Sequence, residues 1–177
     1  VQKGLYREIE DERTVTRVRK GANARPFITD VAVTPPFEQG DKQMNFFIAI
    51  NPPTVTAQEH KVRIVKGKPL FYDTPEIKAA KGLLMGHLAQ YKPAVEMSGA
   101  LSLRTLWLFP RGRHKNGEWR VAKPDTDNLQ KLLKDCMTKC GFWKDDAQVV
   151  RETVEKRWSD EPCGIYIEIE ELEATRV

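Results

Sequence analysis

With 177 residues, 40% apolar and 31% charged, the chain is long enough for one well-buried domain with an appendage and too short for two full-sized ones. No apolar run approaches the ~20 residues of a membrane span, and the charged start Val1-Gln2-Lys3-Gly4-Leu5-Tyr6-Arg7-Glu8 lacks the apolar core of a secretory signal, so a cytoplasmic protein with no membrane partner is expected. A net charge of +4 permits a polyanionic partner without demanding one, and three cysteines, an odd number, argue against a disulfide framework.

Residues 1–43 mix charges, break at Thr34-Pro35-Pro36 and end in Glu38-Gln39-Gly40-Asp41-Lys42, which reads as an N-terminal linker or poorly ordered arm. From Met44, the run Asn45 to Ile50 reads as a strand, stopped at Asn51-Pro52-Pro53 because successive prolines cannot continue a ladder. A basic segment follows, with Lys61, Arg63, Lys66 and Lys68 among Val62, Ile64 and Val65; Gly67-Lys68-Pro69 reads as its turn, which suits a hairpin. The first helix starts with Thr74 as cap, Pro75 at the first helical position and Glu76 in the first turn, and runs to about Tyr91. Ile77, Leu83, Leu84 and Leu88 form its expected buried stripe.

Leu101 to Phe109 is apolar on both alternating faces, which predicts a central strand covered on each side and ended by Pro110. Arg111, Arg113, His114 and Lys115 then make a basic loop, with Arg120 and Lys123 beyond it. The second helix is expected to begin at Asp127 or Asn128 and to end at Cys140, with Gly141 as a left-handed stop. At 100° per residue, Leu129, Leu132, Leu133, Cys136, Met137 and Cys140 share one arc, whereas Lys131, Lys134, Asp135 and Thr138 share the other, so one face is core and the other faces a site. Two strands close the chain, Val149 to Lys156 and Gly164 to Glu170, the latter alternating Ile165, Ile167 and Ile169 with Tyr166, Glu168 and Glu170. Strands interleaved with helices define an α/β (α+β) layer architecture without internal repeats.

The chemistry lies in Asp125-Thr126-Asp127 and Asp145-Asp146. Residues two apart in extended backbone point the same way, so the carboxylates of Asp125 and Asp127 can converge, and a further acidic pair follows the second helix. Hard divalent cations take oxygen ligands and keep waters for substrate phosphate, which suits Asp125, Asp127 and Asp146 as metal ligands and Mg²⁺ as the cofactor, with Mn²⁺ able to substitute. Lys131 lies one helical turn after Asp127, so its ammonium can reach a metal-bound phosphate or departing oxygen, with Asp135 one turn further to orient it. The bland alternatives are capping for Asp-x-Asp and a turn for Asp-Asp. An EF-hand beginning at Asp125 fails, because its sixth and twelfth positions hold Gln130 and Cys136. No P-loop marks a nucleotide cofactor, there is no Ser or Cys nucleophile arrangement, His60, His87 and His114 are scattered, and Cys136 and Cys140 lack partners for zinc.

Asp125-Thr126-Asp127-Asn128-Leu129-Gln130-Lys131, followed by Gly141-Phe142-Trp143-Lys144-Asp145-Asp146-Ala147-Gln148-Val149, resembles the RusA family of Holliday junction resolvases. The resemblance extends more loosely over residues 44–172, leaving 173–177 as a tail. It implies a single domain with two main helices on a mixed sheet, a homodimer, and Mg²⁺-dependent paired nicks across a four-way DNA junction that leave 5′-phosphate and 3′-hydroxyl ends. It also matches Asp125, Asp127 and Asp146 to essential metal-binding aspartates, Lys131 to a lysine assisting catalysis, and Asp145 to a second acidic neighbour that can serve as a further metal ligand. Thr54 to Gln58 departs from the family pattern after the double proline.

On this reading Lys61, Arg63, Lys66 and Lys68, with Arg111, Arg113, His114, Lys115, Arg120 and Lys123, are candidates to hold backbone phosphates. Phe142-Trp143 either wedges into DNA or packs beneath the Asp145-Asp146 turn. The rival functions are a non-cutting junction- or DNA-binding protein of the same fold and a metal-dependent phosphodiesterase acting on small molecules. A separate expectation concerns the arm. Gln39-Gly40-Asp41 can be encoded by a purine-rich ribosome-binding sequence, so Met44 is expected as the native start, the alternative being an arm whose Arg13 to Lys20 pairs as an edge strand or touches DNA.

Overall fold

The computed structural model describes residues 10–11, 14–15, 42–55, 61–65 and 68–173. Most of the arm, His60, Lys66 and residues 174–177 lie outside them, as does the expected edge strand over Arg13 to Lys20 except for Thr14 and Val15. The chain divides into two units, residues 1–35 and 36–177. Within the first, β1 (Glu10–Asp11) pairs antiparallel with β2 (Thr14–Val15).

The second unit is built on a four-stranded mixed sheet. Its strands are β3 (Gln43–Ile48), β6 (Ala100–Pro110), β7 (Val149–Ser159) and β8 (Gly164–Leu172), in the order β3-β8-β6-β7. β8 runs antiparallel to both neighbours, and β6 and β7 run parallel. A parallel pair requires a crossover, and here it is the helix α2 (Thr126–Cys140) that returns the chain from the end of β6 to the start of β7. The helix α1 (Pro75–Leu88) precedes β6. Between β3 and α1, β4 (Lys61–Val65) and β5 (Lys68–Tyr72) form the expected hairpin, but Lys68 and Pro69, expected in its turn, are the first residues of β5, opposite Val65 and Ile64.

Period-2 alternation places Met44, Phe46 and Ile48 of β3, and Ile165, Ile167 and Ile169 of β8, in one buried layer with Leu101, Leu103, Trp107 and Phe109 of β6. The two helices supply the other layer through Ala80, Leu84 and Leu88 of α1 and Leu129, Leu132, Leu133, Cys136 and Met137 of α2. Each fully buried leucine contributes about 1.5–3 kcal/mol relative to exposure, so the apolar arc of α2 alone seats it firmly. One polar link fixes its height on the sheet: Thr105 in the buried layer donates to Gln130 Oε1 at 3.0 Å and accepts from Trp107 Nε1 at 3.1 Å.

Three expectations are corrected. Leu83 is 47% exposed, because at 100° per residue it lies about 120° from Ile77, whereas Ala80 takes the inward position. β6 buries its odd-numbered residues, but Ser102, Arg104 and Leu106 on the other face are half-buried or exposed, since both helices pack on one side. α2 begins at Thr126 with Asp125 as its cap, a residue or two before the expected start.

Candidate active site

Asp125 stands at the N-cap of α2 with extended backbone (φ −73°, ψ 155°), the conformation of a capping residue, yet its carboxylate makes no capping hydrogen bond. The capping explanation of Asp-x-Asp therefore fails for Asp125: its oxygens are not committed to the helix end. Asp127 is in the first turn and exposed. Both carboxylates sit at the positive end of the helix dipole, which offsets part of their mutual repulsion.

One turn on, the Lys131 ammonium lies 2.8 Å from Asp135 Oδ1 and 3.3 Å from Asp146 Oδ2. The hydrogen bond to Asp135 first, and that to Asp146 second, raise the Lys131 pKa above the ordinary lysine value against partial desolvation, so its ammonium is fully charged at neutral pH. Asp146 and Lys131 are 15 residues apart in sequence and meet because the chain turns back after α2 ends at Cys140. Gly141, in the left-handed region at φ 78°, ends the helix, and a Cβ there would approach Lys92 Nζ to 3.0 Å. Phe142 and Trp143 are fully buried and Trp143 Nε1 donates to Thr138 Oγ1 at 2.7 Å, so the pair packs under the following turn and does not form a wedge.

That turn, a single 3-10 turn over Asp146–Gln148, is clamped by a residue the sequence reading overlooked. Gln148 Oε1 accepts from the amides of Lys144 and Asp145 at 3.0 and 3.2 Å, and its Nε2 donates to the carbonyls of Met97 and Gly99, both at 3.2 Å. Asp145 closes the box by accepting from the Ala147 amide at 2.8 Å. The spacing Asp145-x-x-Gln148 is a capping-box signature, and that pattern could have revealed both roles. It leaves Asp146 as the carboxylate of the pair that faces Lys131.

Among the described residues no three His, Cys, Asp or Glu side chains form a ready-made metal cluster, so convergence of Asp125, Asp127 and Asp146 on one point is not preformed. Like-charged carboxylates separate in isolation, and here the Lys131 ammonium draws Asp146 to itself. The donor chemistry nevertheless suits a hard divalent ion. Every candidate ligand is a carboxylate, whereas the thiols of Cys136 and Cys140 turn toward the carbonyls of Lys81 and Met85 on α1, and burial pushes the Cys136 thiol up to about 12.

Sequence comparison places the chain in a family. The model of the family Endodeoxyribonuclease RusA matches residues 51–170. A crossover junction endodeoxyribonuclease of Lactococcus phage r1t is 34% identical over 120 residues, covering 66% of this chain and 89% of that protein. The chain belongs to the RusA family of endodeoxyribonucleases. Crossover junction endodeoxyribonucleases of Escherichia coli K12 and of Enterobacteria phage 82 are each 62% identical over 32 residues, 18% of this chain and 27% of theirs.

The basic groups of this RusA-family chain differ in their surroundings. Arg113, Lys115 and Lys123 have exposed side chains with no ion-pair partner among the described residues, and Lys68 is exposed at the start of β5. Lys61 and Arg63 lie on β4. Arg111, by contrast, is ion-paired with Asp160 and donates to the His114 carbonyl, which braces the loop, and the His114 ring stacks on Trp158. Arg120, expected at a phosphate, is only 7% exposed. Its guanidinium lies between Phe109 and Trp158, 4.0 and 4.9 Å from the ring centroids, and donates to the Ala122 carbonyl at 2.8 Å. A charged side chain in a basic stretch is ordinarily solvated, but here aromatic residues on two strands enclose it. No helix among the described residues is long and apolar enough to cross a membrane.

Proposed function

We propose that this chain resolves four-way DNA junctions by paired symmetric nicks, with Asp125, Asp127 and Asp146 holding Mg²⁺, or Mn²⁺ in its place, and Lys131 acting at the scissile phosphate. The observation that carries the reading is the Lys131 ammonium set between Asp135 and Asp146, one turn beyond Asp127. A divalent ion bound there supplies Lewis-acid polarisation of a phosphoryl oxygen and a water of lowered pKa. Hydrolysis forms a bond from water oxygen to phosphorus and breaks the bond from phosphorus to the 3′ oxygen, which takes up a proton. Lys131 places positive charge beside the oxygens on which negative charge develops, and Asp135 keeps its ammonium aimed. Asp145 holds the backbone of the turn and so orients Asp146. Residues 44–172 are the catalytic domain on this reading.

Cutting two opposed strands of a junction symmetrically calls for two active sites related by a two-fold axis, hence a homodimer. The test is cleavage of a labelled synthetic four-way junction against matched duplex, with and without Mg²⁺. Junction nicks at paired positions that require the metal are expected. An intact junction would favour a non-cutting binding protein, and equal cutting of duplex would remove junction selectivity.

Arg113, Lys115 and Lys123 are the exposed cations we assign to backbone phosphates. Affinity should therefore fall steeply with salt, and the double change Arg113→Ala, Lys115→Ala should flatten the log–log slope by about 2 per protomer if each neutralises one phosphate. A salt-independent affinity, measured by fluorescence anisotropy, would remove the basic loop from the interface.

A further inference from the structure

β7 runs alongside α2 in the opposite direction, joined at two places. Lys134 on the helix pairs with Glu152 on the strand, and four residues further along the strand, Lys156 reaches the segment that enters the helix. The two spans agree: four strand residues advance about 13 Å, and the nine residues from Lys134 back to Asp125 rise about 13.5 Å. Lys156 Nζ donates to the carbonyls of Ala122 at 2.8 Å and of Pro124 at 2.6 Å, and the Lys156 carbonyl accepts from the Arg120 amide at 3.1 Å. Arg120, itself buried, donates to the same Ala122 carbonyl. The residue after Pro124 is Asp125; burial first and the neighbouring Arg120 second lower the Lys156 pKa, which the Asp125 charge partly offsets.

We infer that Lys156 is a positioning residue for Asp125: by binding two main-chain carbonyls immediately before it, the ammonium holds the Asp125 carboxylate where it can ligate a divalent cation. The inference rests on the proposed role of Asp125 as a metal ligand. The Asp125 carboxylate makes no capping hydrogen bond, and its carbonyl accepts from the Leu129 amide at 3.2 Å as α2 begins, so what must be held is the segment just before it, where residues 121–124 belong to no strand or helix. A lysine suits this because its ammonium has three donors and can serve two carbonyls together.

Placement and simple charge make opposite predictions. A cation that merely sits near Asp125 repels a metal ion, so its removal should tighten metal binding. A cation that positions the ligand should, when removed, weaken it, by about 10–100-fold as for other outer partners of metal ligands. The experiment is calorimetric titration of the full chain with Mn²⁺, without DNA, comparing wild type with Lys156→Met, Lys156→Arg and Asp125→Asn, each checked for an unchanged circular dichroism spectrum. Weaker Mn²⁺ binding in Lys156→Met, restored in Lys156→Arg and matched or exceeded in Asp125→Asn, is expected. Unchanged or tighter binding in Lys156→Met, with Asp125→Asn weakened, overturns the positioning role while leaving the ligand. Unchanged binding in Asp125→Asn instead overturns Asp125 as a ligand and this inference with it. Should Lys156→Met fail to fold, Lys156→Gln, which is shorter and neutral, carries the same comparison.

Discussion

Asp146→Asn is expected to lower Mg²⁺-dependent junction cleavage at least on the order of 10³-fold, because it withdraws a ligand charge from a step whose barrier metal-borne charge lowers by several kcal/mol. Folding should be nearly untouched. The carboxylate is partly exposed, its amide replacement has almost the same volume, and the 3-10 turn that carries it is held by Gln148 and Asp145. Junction affinity should persist or rise, since one negative charge facing the phosphates is lost. Asp127→Asn should behave alike, being exposed in the first turn of α2 with no packing role. Single-turnover cleavage and a gel-shift titration on the same junction check both parts. A wild-type cleavage rate in either variant would take that residue out of the site.

Lys131→Ala has the second-largest expected effect, a fall on the order of 10² or more in single-turnover rate, as when a preorganised charge at a developing oxyanion is removed. Its ammonium is held in place by two carboxylates, so the pair Asp135 and Lys131 can be dissected. Asp135→Asn removes the stronger of the two contacts, at 2.8 Å, and should cost about 10-fold, the smaller effect of an outer partner. Lys131→Ala with unaltered single-turnover chemistry but weakened junction binding would make Lys131 a phosphate anchor. The raised Lys131 pKa also means that no loss of activity from its deprotonation is expected between pH 6 and 9.

The sequence by itself determined the buried faces of α2 and β8. The arc of Leu129, Leu132, Leu133, Cys136 and Met137 and the alternation of Ile165, Ile167 and Ile169 follow from periods of 3.6 and 2, and those side chains lie in the core. It also placed Lys131 within reach of Asp135, because a one-turn separation on a helix has a single geometry. The cap at Thr74, which accepts from the Ile77 amide, and the left-handed stop at Gly141 were legible for the same reason: each is decided within four residues. Leu83 shows the limit of composition without periodicity, since an apolar residue about 120° from the stripe stays outside.

Tertiary structure alone decided what lies opposite what. Arg120 reads as one more cation of a basic loop until Phe109 on β6 and Trp158 on β7 enclose its guanidinium. Gln148 could be found locally through the capping box, but not its hold on Met97 and Gly99, some fifty residues earlier. Lys156 left no sign at all. Its partners, 34 and 32 residues away, are the carbonyls of Ala122 and Pro124, and every residue type carries a carbonyl, so no side-chain pattern encodes that contact. Periodicity records the environment of a face because burial selects side chains along an element; hydrogen bonds to distant main chain arise only once the parallel pairing of β6 with β7 has brought those segments together.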